Sequence, residues 1–293
     1  MNVENLLRET LADMADEQAP PPPARFLPPR PVRRRGVALA AAATVVALAA
    51  GGTIAVRTLS PETPVAPVAA RPEHTVTIKE GWRATLLFDN LSRVTGEPAA
   101  SFARAAKDGR ALGLPPYAKG RLEGFAHPGT YRFAESATPT EVLAAMVARF
   151  RATADKLGLS SRRAPMDIVI IASLVQAESP TEADMPKVAR VIHNRLARGM
   201  MLKLDSPLLY GLGKYGVDVT VEDTKRRTPY NTYRHGGLPP GPISNPGEAA
   251  LKAALHPAAG TWLYYVATDP KSGTLEFATS AKEYAKLVER FAG

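Results

Sequence analysis

A run from Ile168 to Val175 that is apolar but for Ser173 leads into Gln176-Ala177-Glu178-Ser179 and so ends on a carboxylic acid. In a helix, Ile171, Leu174 and Val175 share a stripe with Glu178, because positions three, four and seven apart lie on one face. That stripe must face a core, and desolvation raises the pKa of a carboxyl group held there. An acid that keeps its proton near neutrality can protonate the leaving oxygen of a glycosidic bond. The other reading of the same octapeptide is a solvated residue at a helix end.

Other chemistries find little footing. There is no cysteine, so disulfides and thiolate catalysis are excluded. His74, His127, His193, His235 and His256 form no HExxH pattern or close ligand pair, so no metal and no other cofactor is expected. No G-x-S-x-G elbow is present, and Gly211-Leu212-Gly213-Lys214 lacks the spacing of a phosphate-binding loop. The net charge of +9 comes without a recognised nucleic-acid motif, and nucleic acid is not expected as a partner. An anionic membrane surface or an anionic wall polymer is an equally good match for such charge.

The elements that must carry Glu178 can be read from the pattern. Residues 1–35 contain Pro20 to Pro23 and Pro28-Pro29-Arg30-Pro31, and read as a Pro/Arg-rich tail with a short amphipathic start. Gly36 to Val56 is 21 residues without a charged side chain, preceded by Arg33-Arg34-Arg35. That length spans a bilayer, and the basic block sets the N-terminus inside; a cleaved signal peptide and a buried soluble helix are the other readings of the segment. Residues 57–72 read as a Pro/Ala/Val-rich spacer.

Beyond it, Val76 and Ile78 alternate in a strand, and Leu86, Leu87, Leu91 and Val94 give a helix over 84–94. Further helices are expected over 99–111 and 140–157, the latter with Thr140 as N-cap and Gly158 as stop. A strand is expected at Thr130-Tyr131-Arg132-Phe133, after the turn His127-Pro128-Gly129. After Glu178 the pattern predicts a helix ending near Gly199, polar loops, a helix over 246–255, strands at 262–267 and 275–278, and a last helix from Ala281.

Several long motifs follow one another in fixed order. They are Ala172 to Ser179, His193-Asn194-Arg195-Leu196, Leu204-Asp205-Ser206-Pro207-Leu208-Leu209-Tyr210-Gly211, Tyr230-Asn231-Thr232-Tyr233, Gly237-Leu238-Pro239-Pro240-Gly241-Pro242-Ile243 and Asn245-Pro246-Gly247. With Leu122-Glu123-Gly124-Phe125 upstream, the set resembles the MltG/YceG-like family of endolytic murein transglycosylases over roughly residues 73–290. The resemblance implies an α+β fold with a small LysM-like subdomain at 73–150 and a YceG-like catalytic domain at 151–293. It implies that Glu178 is the catalytic acid and then base in the cleavage of the MurNAc–GlcNAc bond. The muramyl C6 hydroxyl would attack the anomeric carbon and leave a 1,6-anhydro end.

By the same resemblance Asn231, Thr232 and Tyr233 line the substrate cleft, with a plain polar turn as the alternative. Asp205 either assists charge development or orients a loop, and the structural role is the preferred reading. Departures from the family pattern are Gln176, where relatives often have Glu; His127 and Gly129, within a segment that usually runs Phe-Pro-Asp; and Tyr284, where His is frequent. Arg195 and Gly241 also match the family, and ion pairing and turn geometry account for them.

The expectation is a single-pass cell-membrane protein, cytoplasmic at its N-terminus, whose extracytoplasmic part cuts nascent peptidoglycan strands. Its expected partners are glycan strands, the membrane and the wall-synthesis machinery. A membrane-anchored scaffold that binds peptidoglycan without cutting it is the alternative.

Overall fold

The computed structural model describes residues 73–268 and 274–291. The tail at 1–35, the apolar segment at 36–56 and the spacer at 57–72 lie outside the described residues. Among those described, no helix is long and apolar enough to cross a membrane.

The chain opens with β1 (Glu73–Ile78), α1 (Ala84–Thr95), α2 (Ala99–Ala105) and β2 (Gly129–Ala134). β1 and β2 pair antiparallel, with Val76 opposite Tyr131, and bury Val76, Ile78 and Tyr131 against Leu87, Leu91 and Phe102. α2 stops at Ala105, short of the expected 111, because tight backbone turns take over from Lys107 to Gly113. α3 (Pro139–Lys156) follows, and its cap is Thr138, not Thr140. The Thr138 hydroxyl accepts from the Glu141 N–H while Glu141 accepts from the Thr138 N–H, and Pro139 takes the first helical position.

α3 contributes to both apolar clusters of the molecule. Val142, Leu143, Met146 and Val147 pack on the β1–β2 side, whereas Phe150 and Ala154 join the larger cluster. That larger cluster is built around α4 (Pro165–Glu178). The expectation of one buried stripe is corrected here: Val169 through Val175 are all buried, Ser173 included. Its neighbours explain this, since α5 (Met185–Ala197), α6 (Asp205–Gly211) and α8 (Glu248–Leu255) all pack against it. Ser173 spends its hydroxyl inside the core, donating to Ile170 O at 2.7 Å and accepting from Ile243 N–H at 3.1 Å.

Two short helices, α6 and α7 (Val221–Lys225), occupy segments that read as polar loops. Their lengths of seven and five residues leave too few positions for a periodic signal. β3 (Tyr264–Ala267) and β4 (Leu275–Ala278) form an antiparallel hairpin, and α9 (Ala281–Phe291) packs on it. β3 begins two residues later than expected because α5 takes the preceding carbonyls. Asn194 Nδ2 donates to Gly260 O at 3.2 Å and to Trp262 O at 2.8 Å, and Arg195 Nε to Leu263 O at 2.6 Å. Arg195 also donates to Leu202 O at 2.7 Å and lies 5.0 Å from the Tyr264 ring. Its contacts are carbonyls and an aromatic face, so the expected ion pair is replaced by backbone fastening.

Candidate active site

Glu178 is the last residue of α4, and Ser179 leaves the helix in an extended conformation. The side chain is therefore carried to the end of a rigid, buried rod and stops where solvent begins. The residue keeps a partly exposed surface while its carboxyl group is enclosed. Oε1 accepts from Ser206 Oγ at 2.5 Å and from Ser206 N–H at 3.3 Å. Oε2 accepts from Tyr265 Oη at 2.8 Å. Among the described residues no cation takes part. Burial pushes the carboxyl above the usual carboxylate range, against the lowering effect of the two hydroxyls, and nearby Asp205 adds to the rise.

The two donors come from distant parts of the chain. Ser206 sits in the first turn of α6, and Tyr265 sits in β3. Along β3 side chains alternate: Tyr264 stacks on Tyr284 at 5.4 Å between ring centres, and Tyr265 turns to Glu178. Fastening of residues 260–263 by α5 thus sets where Tyr265 lands.

Asp205 and Tyr233 form the neighbouring pair, with Tyr233 Oη donating to Asp205 Oδ1 at 2.5 Å. Asp205 as a residue is exposed, but its carboxyl is tucked against Tyr233. That desolvation raises it, the Tyr233 hydroxyl opposes the rise and Asp218 reinforces it. The Tyr233 hydroxyl is driven up by burial and by the negative charge of Asp205 and Glu178. Glu178, Ser206, Asp205, Tyr233 and Tyr265 therefore make one cluster of acids and hydroxyls.

Asn231 and Thr232 stand behind it. Asn231 is fully buried and spends its side chain on backbone, donating to Thr224 O and Arg226 O at 2.8 and 2.7 Å and accepting from Tyr233 N–H at 3.0 Å. The buried Thr232 hydroxyl accepts from Leu204 N–H at 2.9 Å and donates to Leu204 O at 3.2 Å. Both residues brace the loop that presents Tyr233 and the turn that starts α6. Gln176 points away from the acids, its Oε1 accepting from Gly247 N–H at 2.9 Å.

His127 is buried in the α3 packing. Its Nδ1 donates to Pro128 O at 2.7 Å and its Nε2 pairs with Thr153 Oγ1 at 3.1 Å, while burial lowers its pKa. Gly129, with φ of 141°, lies where a Cβ would stand 2.3 Å from the Arg149 guanidinium. Tyr284 lies close enough to Asp205 and Arg195 for both to act on its hydroxyl.

Ser206 and Tyr265 are the site residues that sequence reasoning passed over. Ser206 stands inside the quoted 204–211 motif and Tyr265 inside an expected strand, but their meeting with Glu178 spans 28 and 87 residues. Among the described residues no group of His, Asp and Glu is arranged to hold a metal ion.

An "Endolytic murein transglycosylase" of Bacillus subtilis (strain 168) is 34% identical over 174 residues, covering 58% of this chain and 48% of that one. A protein of the same name from Streptococcus pneumoniae (strain ATCC BAA-255 / R6) is 32% identical over 183 residues, covering 58% of this chain and 32% of its own length. The chain thus spans half or less of the length of the curated relatives it matches. The 2.6 Å crystal structure of a yceG-like protein from Listeria monocytogenes aligns with a TM-score of 0.66 at 27% identity, covering 74% of this chain and 76% of that one. The model of the YceG-like family matches residues 38–290, and the chain, a mixed helix-and-sheet protein, belongs to that family.

Proposed function

We propose that this chain is an endolytic lytic transglycosylase of peptidoglycan, with Glu178 as its acid and base. The observation that carries the reading is the setting of Glu178: an enclosed carboxyl at the end of a buried helix, held by two hydroxyls and, among the described residues, by no cation, with part of its surface open. A carboxylate paired with Arg or Lys would be ionised at neutral pH; this one is biased toward the proton.

Hydrogen-bond capacity assigns the proton to one oxygen. Oε1 receives two donors from Ser206, whereas Oε2 receives only Tyr265 and keeps one lone-pair direction free. In this reading Oε2 delivers its proton to the bridging oxygen as the bond from the muramyl C1 breaks. The C6 hydroxyl oxygen of the same sugar closes on C1, and its proton passes to the Glu178 carboxylate. The proton balance closes and no water enters, so one carboxyl does what two do in most glycosidases. An intramolecular nucleophile also has the advantage of proximity.

Asp205 and Tyr233 border the sugar, and Asn231 and Thr232 act as positioning residues behind them. In the same reading residues 36–56 anchor the chain in the cell membrane with 1–35 inside, and 151–293 forms the catalytic domain outside. Residues 73–150 act as a LysM-like subdomain, a reading supported by the β1–α1–α2–β2 order with antiparallel strands. Substrate would then be nascent strands near the bilayer, with the synthesis machinery close by.

Digestion of purified peptidoglycan in ¹⁸O-labelled water tests the reaction type. The expected products carry anhydromuramyl ends without label. Labelled reducing ends would identify a hydrolase, and no new ends would identify a wall-binding scaffold.

A further inference from the structure

Glu123 is a second carboxylic acid withdrawn from water, and the reaction above does not use it. It lies in the turn at Leu122-Glu123-Gly124-Phe125, where Gly124 has φ of +89° and a Cβ would stand 2.6 Å from Pro242. The N–H of Ala84, the first residue of α1, donates to both of its oxygens at 3.1 Å. Tyr210 Oη donates to Oε2 at 3.3 Å, and Asn245 Nδ2 to Oε1 at 3.4 Å. The charged or titratable groups facing it are Arg83 before α1, Tyr210 on α6 and Tyr230 on the loop beyond α7. Tyr210 packs on Tyr230 at 4.8 Å between ring centres, and the Arg83 guanidinium lies 5.0 Å from the Tyr210 ring. Burial outweighs the donors and Arg83 and pushes Glu123 up to about 7.

α6 connects this acid to the other one. Ser206 and Tyr210 are four residues apart and lie on one face of the helix. Ser206 Oγ reaches Glu178, and Tyr210 Oη reaches Glu123. A helix of seven residues has no stability of its own, so what its side chains touch determines how it lies.

We infer, resting on the function proposed above, that Glu123 is a positioning residue for the cleavage: through Tyr210 it holds α6 so that Ser206 meets the Glu178 carboxyl. Ionised, Glu123 accepts from Ala84, Tyr210 and Asn245 together. Protonated, it loses an acceptor direction and Tyr210 must turn its hydroxyl. The hold on α6 is therefore fullest above neutral pH, and activity falls on the acid side as Glu123 takes up a proton.

The experiment is a comparison of Glu123→Gln, Tyr210→Phe and the double variant in the full chain, with kcat and KM for anhydro-end formation measured against pH. Both single variants are expected to lose about tenfold to a hundredfold in kcat, the scale of a displacement near 1 Å, with KM nearly unchanged. The acid-side limb of the kcat profile should vanish in both. The double variant should be no worse than the poorer single one, because both substitutions cut one connection. Tyr210→Phe keeps the ring packed on Tyr230, so it reports on the link even if Glu123→Gln folds poorly. Unchanged rates and limbs, or losses that multiply, overturn the inference. Glu178→Gln, run alongside, separates the two levels: activity in that variant ends the proposed mechanism, whereas its silence beside normal Glu123→Gln and Tyr210→Phe ends this inference only.

Discussion

At the residue scale, the proposed chemistry turns on hydroxyl donors tuning a single acid. Ser206 and Tyr265 both favour the ionised form of Glu178, while burial and Asp205 favour the neutral one. Removing a donor should tip the balance further toward the proton. Tyr265→Phe is expected to raise the Glu178 pKa further, since one of the donors that favours the carboxylate is removed while burial remains. The alkaline limb of the rate profile, where the acid ionises, should move to higher pH. A pH series of kcat/KM checks this, and a limb that stays in place or moves down would show that Tyr265 does not act on the reacting carboxyl.

At the element scale, the site depends on elements being stapled rather than on any one being strong. Asn245 is the central staple. It is fully buried; its Oδ1 accepts from Gly124 N–H at 3.0 Å and Ala126 N–H at 2.9 Å, and its Nδ2 donates to Trp82 O at 2.9 Å. Asn245→Ala leaves buried donors without partners and is expected to destabilise the protein by about 3 kcal/mol. Urea denaturation should show a lower midpoint with an unchanged slope. A change within about 0.5 kcal/mol would mean that the staple carries no weight.

The helices around the apolar runs were legible because their periodicity is local. The helix over 84–94 and the strand around Val76 and Ile78 emerge close to where spacing puts them. α6 and α7 were not legible, being too short to show a period. Thr140 was expected as the cap where Thr138 takes the role, because both are threonines beside Pro139 and only the reciprocal bond with Glu141 distinguishes them. Glu178 was readable from the apolar run it ends. Ser206, Tyr265 and Glu123 were not, since their roles come from contacts across loops. Asn231 and Thr232 looked like ligand-facing polar groups, and the sequence carries no sign that backbone carbonyls and amides consume them.

At the scale of the whole molecule, the described residues bring an acid on a rigid core helix, a hairpin tyrosine and a loop tyrosine to one place. The central claim is that this acid does the cutting. Its elevated pKa has a sign that can be checked in the same variant. A group raised on folding stabilises the fold below its unfolded pKa and loses that contribution as pH rises through the folded value, so Glu178→Gln should melt no lower than the parent at pH 8. Mass spectrometry of glycan strands from purified peptidoglycan treated with this folded variant is the most direct measurement. The account predicts that anhydromuramyl ends, formed by the parent chain, are absent; ends formed at the parent rate would contradict it.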